Sequence, residues 1–197
     1  MNKISKMLVA ACTLAVATFS ADAQIKYGPV LGLNLANVAG DVENNAMKIG
    51  AHIGGVVSIG ITDNISVEPG IQFSMKGSQD SEESKFKSNV NYIDIPITLR
   101  YAFGEEGTGF NIGVGPYVGI LMSAKYTDGD NDIDYKEFVN STDFGLNVGL
   151  GYQLESGLGF GANYGLGFAN TIKDPVDDEK VTNTNIQISI RYMLGGK

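Results

Sequence analysis

From Ile25 to Leu194 the chain repeats one device eight times, a run of ten or more residues in which apolar side chains alternate with small or polar ones. Successive side chains of an extended strand point to opposite faces, so each run encodes a strand with one apolar face and one small or polar face. Residues 158–168 are the clearest case. Leu158, Phe160, Ala162, Tyr164, Leu166 and Phe168 share one parity, and Gly or Asn fills every position of the other. A soluble sheet hides its apolar face under a second layer, whereas a closed barrel can turn that face to lipid and keep the small residues inside.

The spacing predicts strands over about 25–37, 48–61, 65–77, 89–103, 110–125, 142–154, 158–170 and 182–194. Short turns at 62–64, 104–109 and 155–157 alternate with longer, acidic connections at about 38–47, 78–88, 126–141 and 171–181. Outer-membrane barrels have this asymmetry, with short turns in the periplasm and long loops outside. The fold class expected is therefore all-β, an eight-stranded antiparallel up-and-down transmembrane β-barrel.

Parity also sorts the side chains. Leu31, Leu33, Ile71, Phe73, Ile95, Ile97, Val114, Val118, Leu146, Val148, Ile186 and Ile188 are expected to face lipid. Asn34, Glu68, Gln72, Asp94, Thr98, Arg100, Asn111, Asp143, Asn147, Asn163, Gln187 and Arg191 fall on the lumenal parity among many of the 26 glycines. Eight strands enclose an interior only wide enough for side chains, and charges there are costly unless paired. Glu68, Asp94 and Asp143 are thus expected to find Arg100, Arg191 or lumenal lysines, forming a structural network in preference to a conduction path. Tyr27, Tyr101, Phe103, Phe110, Tyr152, Phe160 and Tyr192 fall near strand ends on the short-turn side, where an aromatic girdle is expected, although the chain has no tryptophan.

The first residues read as an address. Lys3 and Lys6 precede an apolar run from Met7 to Phe19, and Ala21-Asp22-Ala23 supplies the small residues of a cleavage site. This predicts a secretory signal peptide over 1–23, with the barrel domain over 24–197. A membrane-spanning helix needs about 20 apolar residues, more than this run offers. Cys12, the only cysteine, lies inside the segment, and lipidation there would leave too short an apolar core before the cut. Without residues 1–23 the chain has no cysteine and is one unit more negative than its formal charge of −8. So acidic a chain, with no basic cluster, is a poor candidate for nucleic acid.

Other motifs read as structural. Asp128, Asp130, Asp132 and Asp134 alternate as in a calcium loop, but Ile133 and Val139 stand where the turn glycine and the bidentate glutamate belong, so a solvated loop is expected. The acidic stretches 78–88 and 174–180 read the same way, with a protein partner or cation bridges to lipopolysaccharide as their functional alternatives. His52, the only histidine, lies on the lumenal parity. Small outer-membrane lipid enzymes combine one histidine with a serine and a carboxylate, but spacing marks no partner for this one. No catalytic, cofactor or metal residue is assigned. The glycine runs 113–119 and 157–167 lack the strand-turn-helix setting of a phosphate loop.

The stretches Tyr27–Asn37, Tyr92-Ile93-Asp94-Ile95-Pro96-Ile97-Thr98-Leu99-Arg100-Tyr101 and Gly113–Gly119 resemble the outer-membrane β-barrel family common in Bacteroidetes, often labelled PorT-like or porin-family. The middle stretch is the most specific, because proline inside a barrel strand marks a bulge or a local loss of pairing. The resemblance implies the fold and the outer membrane of a Gram-negative bacterium, raises a link to protein secretion or surface organisation, and specifies no activity. Outer-membrane barrels commonly end in an aromatic residue read by the insertion machinery, whereas here Tyr192 precedes Met193-Leu194-Gly195-Gly196-Lys197. The expected role is that of a non-enzymatic structural or interaction protein in contact with outer-membrane lipid, lipopolysaccharide and the barrel-insertion machinery, its acidic loops facing any protein partner. The alternatives are a membrane-embedded lipid-modifying enzyme and a soluble lipocalin-like ligand-binding barrel.

Overall fold

A computed structural model describes residues 24–42, 44–129 and 131–196; the predicted signal peptide lies outside them. The strands are β1 (Ile25–Gly40), β2 (Asn45–Gly60), β3 (Ile65–Asp80), β4 (Lys87–Ala102), β5 (Gly109–Thr127), β6 (Asp132–Asp134), β7 (Thr142–Gln153), β8 (Leu158–Gly167), β9 (Val181–Tyr192) and β10 (Leu194–Gly195). Eight long antiparallel strands each pair with the next along the chain, β6 being a short hairpin arm on β5. The ring closes where β1 pairs with β9, from Val30 opposite Arg191 to Gly40 opposite Val181.

Leu31, Leu33, Ile53, Ile95, Ile112 and Leu150 are exposed, while Asn34, His52, Gln72, Asp94, Asn111 and Gln187 on the opposite parity are buried. An apolar belt of this extent belongs against lipid, and the polar interior removes the lipocalin-like alternative. Tyr27, Tyr101, Phe103, Phe110, Tyr152, Phe160 and Tyr192 are all exposed near the short turns. Tyr101 meets Phe103 edge-on at 5.0 Å, and Phe103 lies 5.7 Å from Phe110.

Two prolines, Pro69 and Pro96, stand at interruptions of the ladder that leave its register unshifted. Between β3 and β4, Pro69 faces Ile97 and pairing resumes at Gln72 opposite Asp94; between β4 and β5, Pro96 faces Tyr117 and pairing resumes at Leu99 opposite Val114. Proline has no N–H to give to the ladder, so bonds drop out locally while the register holds. The register shifts lie nearer the outer end, between Met47 and His52 and between Asn91 and Tyr92.

The outer connections correct the sequence reading. The first two, expected at about 38–47 and 78–88, shrink to 41–44 and 81–86 because the strands continue beyond the apolar belt. Main-chain pairing needs no apolar face, so the ladder runs on after the alternation fades. Only the connections 128–141 and 168–180 are long, and all four are sewn together. Ser81 N donates to Asn44 O (3.0 Å), Asp41 N to Lys180 O (3.0 Å), Asn140 N to Thr171 O (2.9 Å) and Lys173 N to Phe138 O (2.9 Å). Ser88 bonds Tyr135 across the remaining gap. Inside this crown Val139 joins Val90, Tyr92, Leu121 and Ala124 in a buried apolar cluster, with Tyr135 packed against it.

Candidate functional site in the barrel lumen

The lumenal side chains form layers along the barrel axis. Nearest the short turns, Glu68 on β3, Arg100 on β4 and Arg191 on β9 come together. Arg191 Nη1 donates to both oxygens of Glu68, at 3.2 and 2.9 Å. Arg100 Nε lies 2.8 Å from Glu68 Oε2, off the N–H axis, as an ion pair. Arg100 Nη1 also donates to Asn111 Oδ1, and Arg191 Nε to Gln153 Oε1 at 2.8 Å. Two guanidiniums share one carboxylate, so the layer holds one surplus positive charge. Its outward side is the floor of a vestibule of about 670 Å³ walled by the short turns. Behind it lies a cavity of about 100 Å³ lined by Gln72, Thr98, Asn163, Gln187 and Ser189.

Deeper in, His52 (2 % exposed) bonds through Nδ1 to Asn34 Oδ1 and through Nε2 to Ser189 Oγ, both at 2.9 Å. Asn34 Nδ2 reaches Ser74 Oγ (3.0 Å), Met75 O (3.0 Å) and Ala51 O (3.3 Å), while Gln187 Nε2 donates to Asn34 Oδ1 at 3.2 Å.

The outermost layer is centred on Lys76. Its ammonium lies 3.0 Å from Asp94 and 3.6 Å from Asp143, with the Tyr117 and Tyr92 ring centroids 4.5 and 5.0 Å away. Tyr117 Oη and Asn183 Nδ2 donate to Asp143 Oδ2 at 3.0 and 3.1 Å. Lys48 Nζ, also buried, donates to the Lys76 main-chain carbonyl at 3.0 Å. Asp94 and Asp143 therefore meet a lysine, in a layer separate from Glu68 and the arginines.

Lumenal glycines give this network its room. A Cβ on Gly119 would stand 2.7 Å from Asp94 Oδ1, on Gly145 2.7 Å from Tyr117 Cε1, and on Gly149 1.9 Å from Asn163 Oδ1. Sequence reasoning passed over Lys76, Tyr92, Tyr117 and Ser189, although each shares the parity of a residue it did name: Lys76 with Gln72, Tyr92 with Asp94, Tyr117 with Asn111, and Ser189 with Arg191.

In the calcium-like loop, Asp128 Oδ1 accepts from Asn131 N (2.9 Å), Asp134 Oδ1 from Lys136 N (2.9 Å) and Asp132 Oδ1 from Thr127 Oγ1 (2.7 Å). Asp130 lies outside the described residues. Among the described residues no group of three or more His, Cys, Asp or Glu side chains converges as a metal site would.

The family model described as outer membrane protein beta-barrel domain matches residues 18–173. The chain belongs to this family. Among solved structures, this outer-membrane barrel is similar to Neisserial surface protein A, at 12% identity and TM-score 0.55 over 85% of this chain and 96% of that one. It is also similar to Ail, the attachment invasion locus protein of Yersinia pestis (11% identity, TM-score 0.48, 87% and 99% covered), and to OprG from Pseudomonas aeruginosa (12%, 0.47, 87% and 96%). At these identities the likeness concerns the fold. No curated protein matches the sequence of the barrel.

Proposed function

We propose that this outer-membrane barrel is a non-enzymatic structural or interaction protein that presents its acidic outer crown to a partner. In this reading residues 1–23 are removed on export, the insertion machinery seats the barrel, and its outer belt contacts lipid and lipopolysaccharide. The observation that carries the reading is the crown itself. All four outer connections are hydrogen-bonded to one another, so the surface is organised before any partner arrives, which lowers the ordering cost of association. Ile133, Phe138 and Val176 are exposed on it among Asp132, Asp134, Asp174 and Asp177, the mixture of apolar anchor and charge that protein interfaces use. The PorT-like resemblance and its link to secretion or surface organisation stand within this reading as the class of partner to try first. The lipid-modifying alternative is disfavoured because His52 faces the lumen, behind the strand wall from any lipid-borne substrate.

The test uses the folded barrel in lipid nanodiscs, challenged with envelope extract of the native host. The wild type is expected to retain a defined protein in a salt-sensitive manner. A variant with Asp174→Asn, Asp177→Asn, Asp178→Asn and Glu179→Gln should lose it while keeping its heat-dependent gel mobility. Equal retention by both proteins counts against the crown as the binding surface.

A further inference from the structure

We infer that Ser189 is a base-activated nucleophile, poised in the inner cavity to accept the acyl group of a small carboxylic ester that arrives from the periplasmic vestibule. This goes beyond the crown-mediated role and does not depend on it, and it is compatible with a non-enzymatic protein because the step is one acylation of the chain itself, without turnover.

The direction of every proton in the relay follows from the groups around Asn34. Its Nδ2 end faces the carbonyls of Met75 and Ala51, and a carbonyl can only accept. The amide nitrogen must therefore point there, leaving Oδ1 toward His52. An amide oxygen can only accept as well, so His52 carries its proton on Nδ1 and donates it to Asn34. Nε2 is then a bare lone pair, and its 2.9 Å contact with Ser189 Oγ is made by the serine proton. A hydroxyl bonded to a neutral imidazole, itself oriented by a third group, is the arrangement that activates a serine. Asn34 is the positioning residue, and Gly32 keeps the imidazole's place, since a Cβ there would stand 2.7 Å from His52 Cε1.

Ser189 and Arg191 are two residues apart on the lumenal face of β9, about 7 Å along the strand, and both line the inner cavity. Arg191 gives its Nε to Gln153 and its Nη1 to Glu68, so the arginine layer adds positive potential to the cavity in which an oxyanion would develop, at a distance and not as a direct donor. The layer of Glu68, Arg100 and Arg191 is the wall common to the vestibule and the inner cavity, so in this proposal the ester passes that layer and its acyl group enters the smaller space. In the step, Ser189 Oγ bonds to the acyl carbon as its proton passes to His52 Nε2. The ester C–O bond breaks with its electron pair on the departing oxygen, which takes the proton back from His52 as an alcohol or phenol.

The experiment treats the folded barrel in detergent with p-nitrophenyl acetate and follows acetylation of individual serines by peptide mass spectrometry. Ser66 and Ser156, which line the vestibule, serve as internal references. Ser189 is expected to be acetylated at least about tenfold faster than either, only in the folded protein, and about a hundredfold slower in His52→Gln, the size of a lost general base. Acetylation of Ser189 no faster than Ser66, at an equal rate in urea-unfolded chain, or undiminished in a folded His52→Gln barrel would overturn the proposal. If His52→Gln shows no heat-dependent mobility shift, the comparison of folded with unfolded wild type decides the matter alone.

Discussion

At the outer mouth, strands, connections and side chains all close on the axis. Val139 clusters with Val90, Tyr92, Leu121 and Ala124, and below it Lys76 lies between Asp94 and Asp143 with aromatic rings near its ammonium. At the inner mouth the same barrel wall surrounds a vestibule of about 670 Å³, and the charged layer at its floor is unbalanced, its arginines partly wetted and Glu68 buried. Arg100 and Arg191 keep 17% and 12% side-chain exposure, against 4% for Lys76. The difference teaches where each end can tolerate change. A charge far from water has only its partner to stabilise it, whereas one at a wetted wall also has solvent.

The sharpest way to break the comparison is Lys76→Met, which leaves Asp94 and Asp143 facing one another in the dry layer. It is expected to cost about 3–5 kcal/mol, read as an earlier urea midpoint for loss of the folded band on unheated gels. Glu68→Gln strands two guanidiniums, but beside the vestibule, and should cost less, about 1–3 kcal/mol, in the same assay. Equal losses from the two variants would mean that the two layers are equally dry. Val139→Ala hollows the outer cluster and should cost roughly 1 kcal/mol. Its more telling effect is local, with trypsin cleavage after Lys136 appearing in the folded barrel while the short turns stay resistant.

The smallest effect belongs to Asp80, whose carboxylate is held below the usual aspartate range by the main-chain N–H groups of Glu83 and Glu82. A depressed folded value means the contribution is present above the unfolded value and fades as pH falls through the folded one. The amides of Glu82 and Glu83 should therefore keep their protection from hydrogen exchange down into strongly acidic solution. Loss of protection near neutral pH would remove Asp80 as the organiser of that connection.

Most of the barrel was legible because lipid demands an apolar face from every strand, which leaves period two in the letters themselves. Outside the apolar belt the demand ends and so does the signal. That is why β1, β2 and β3 run further than alternation indicated and the first two outer connections are short. The lumen was half legible. Parity named Glu68, Arg100 and Arg191 but could not show that Asp94 and Asp143 belong to a different layer, because height in a tilted barrel depends on register. Tyr92 and Tyr117 share the lumenal parity of Asp94 and Asn111, and their rings fit inside because glycines such as Gly119 and Gly145 leave space. The partners of His52 were beyond reach, since Asn34 lies 18 residues away in sequence and Ser189 lies 137 away, brought together only when the ring is complete.

That ring has a single seam, and the seam fixes an order in time. β1 pairs with β2 along one edge and with β9 along the other, so the earliest strand cannot find its second neighbour until the latest one has been made and delivered. Until then each end of the sheet carries a free edge able to template pairing with any other chain. A sheet short of closure keeps both of those edges, and the last act of folding is to remove them by pairing each with the other.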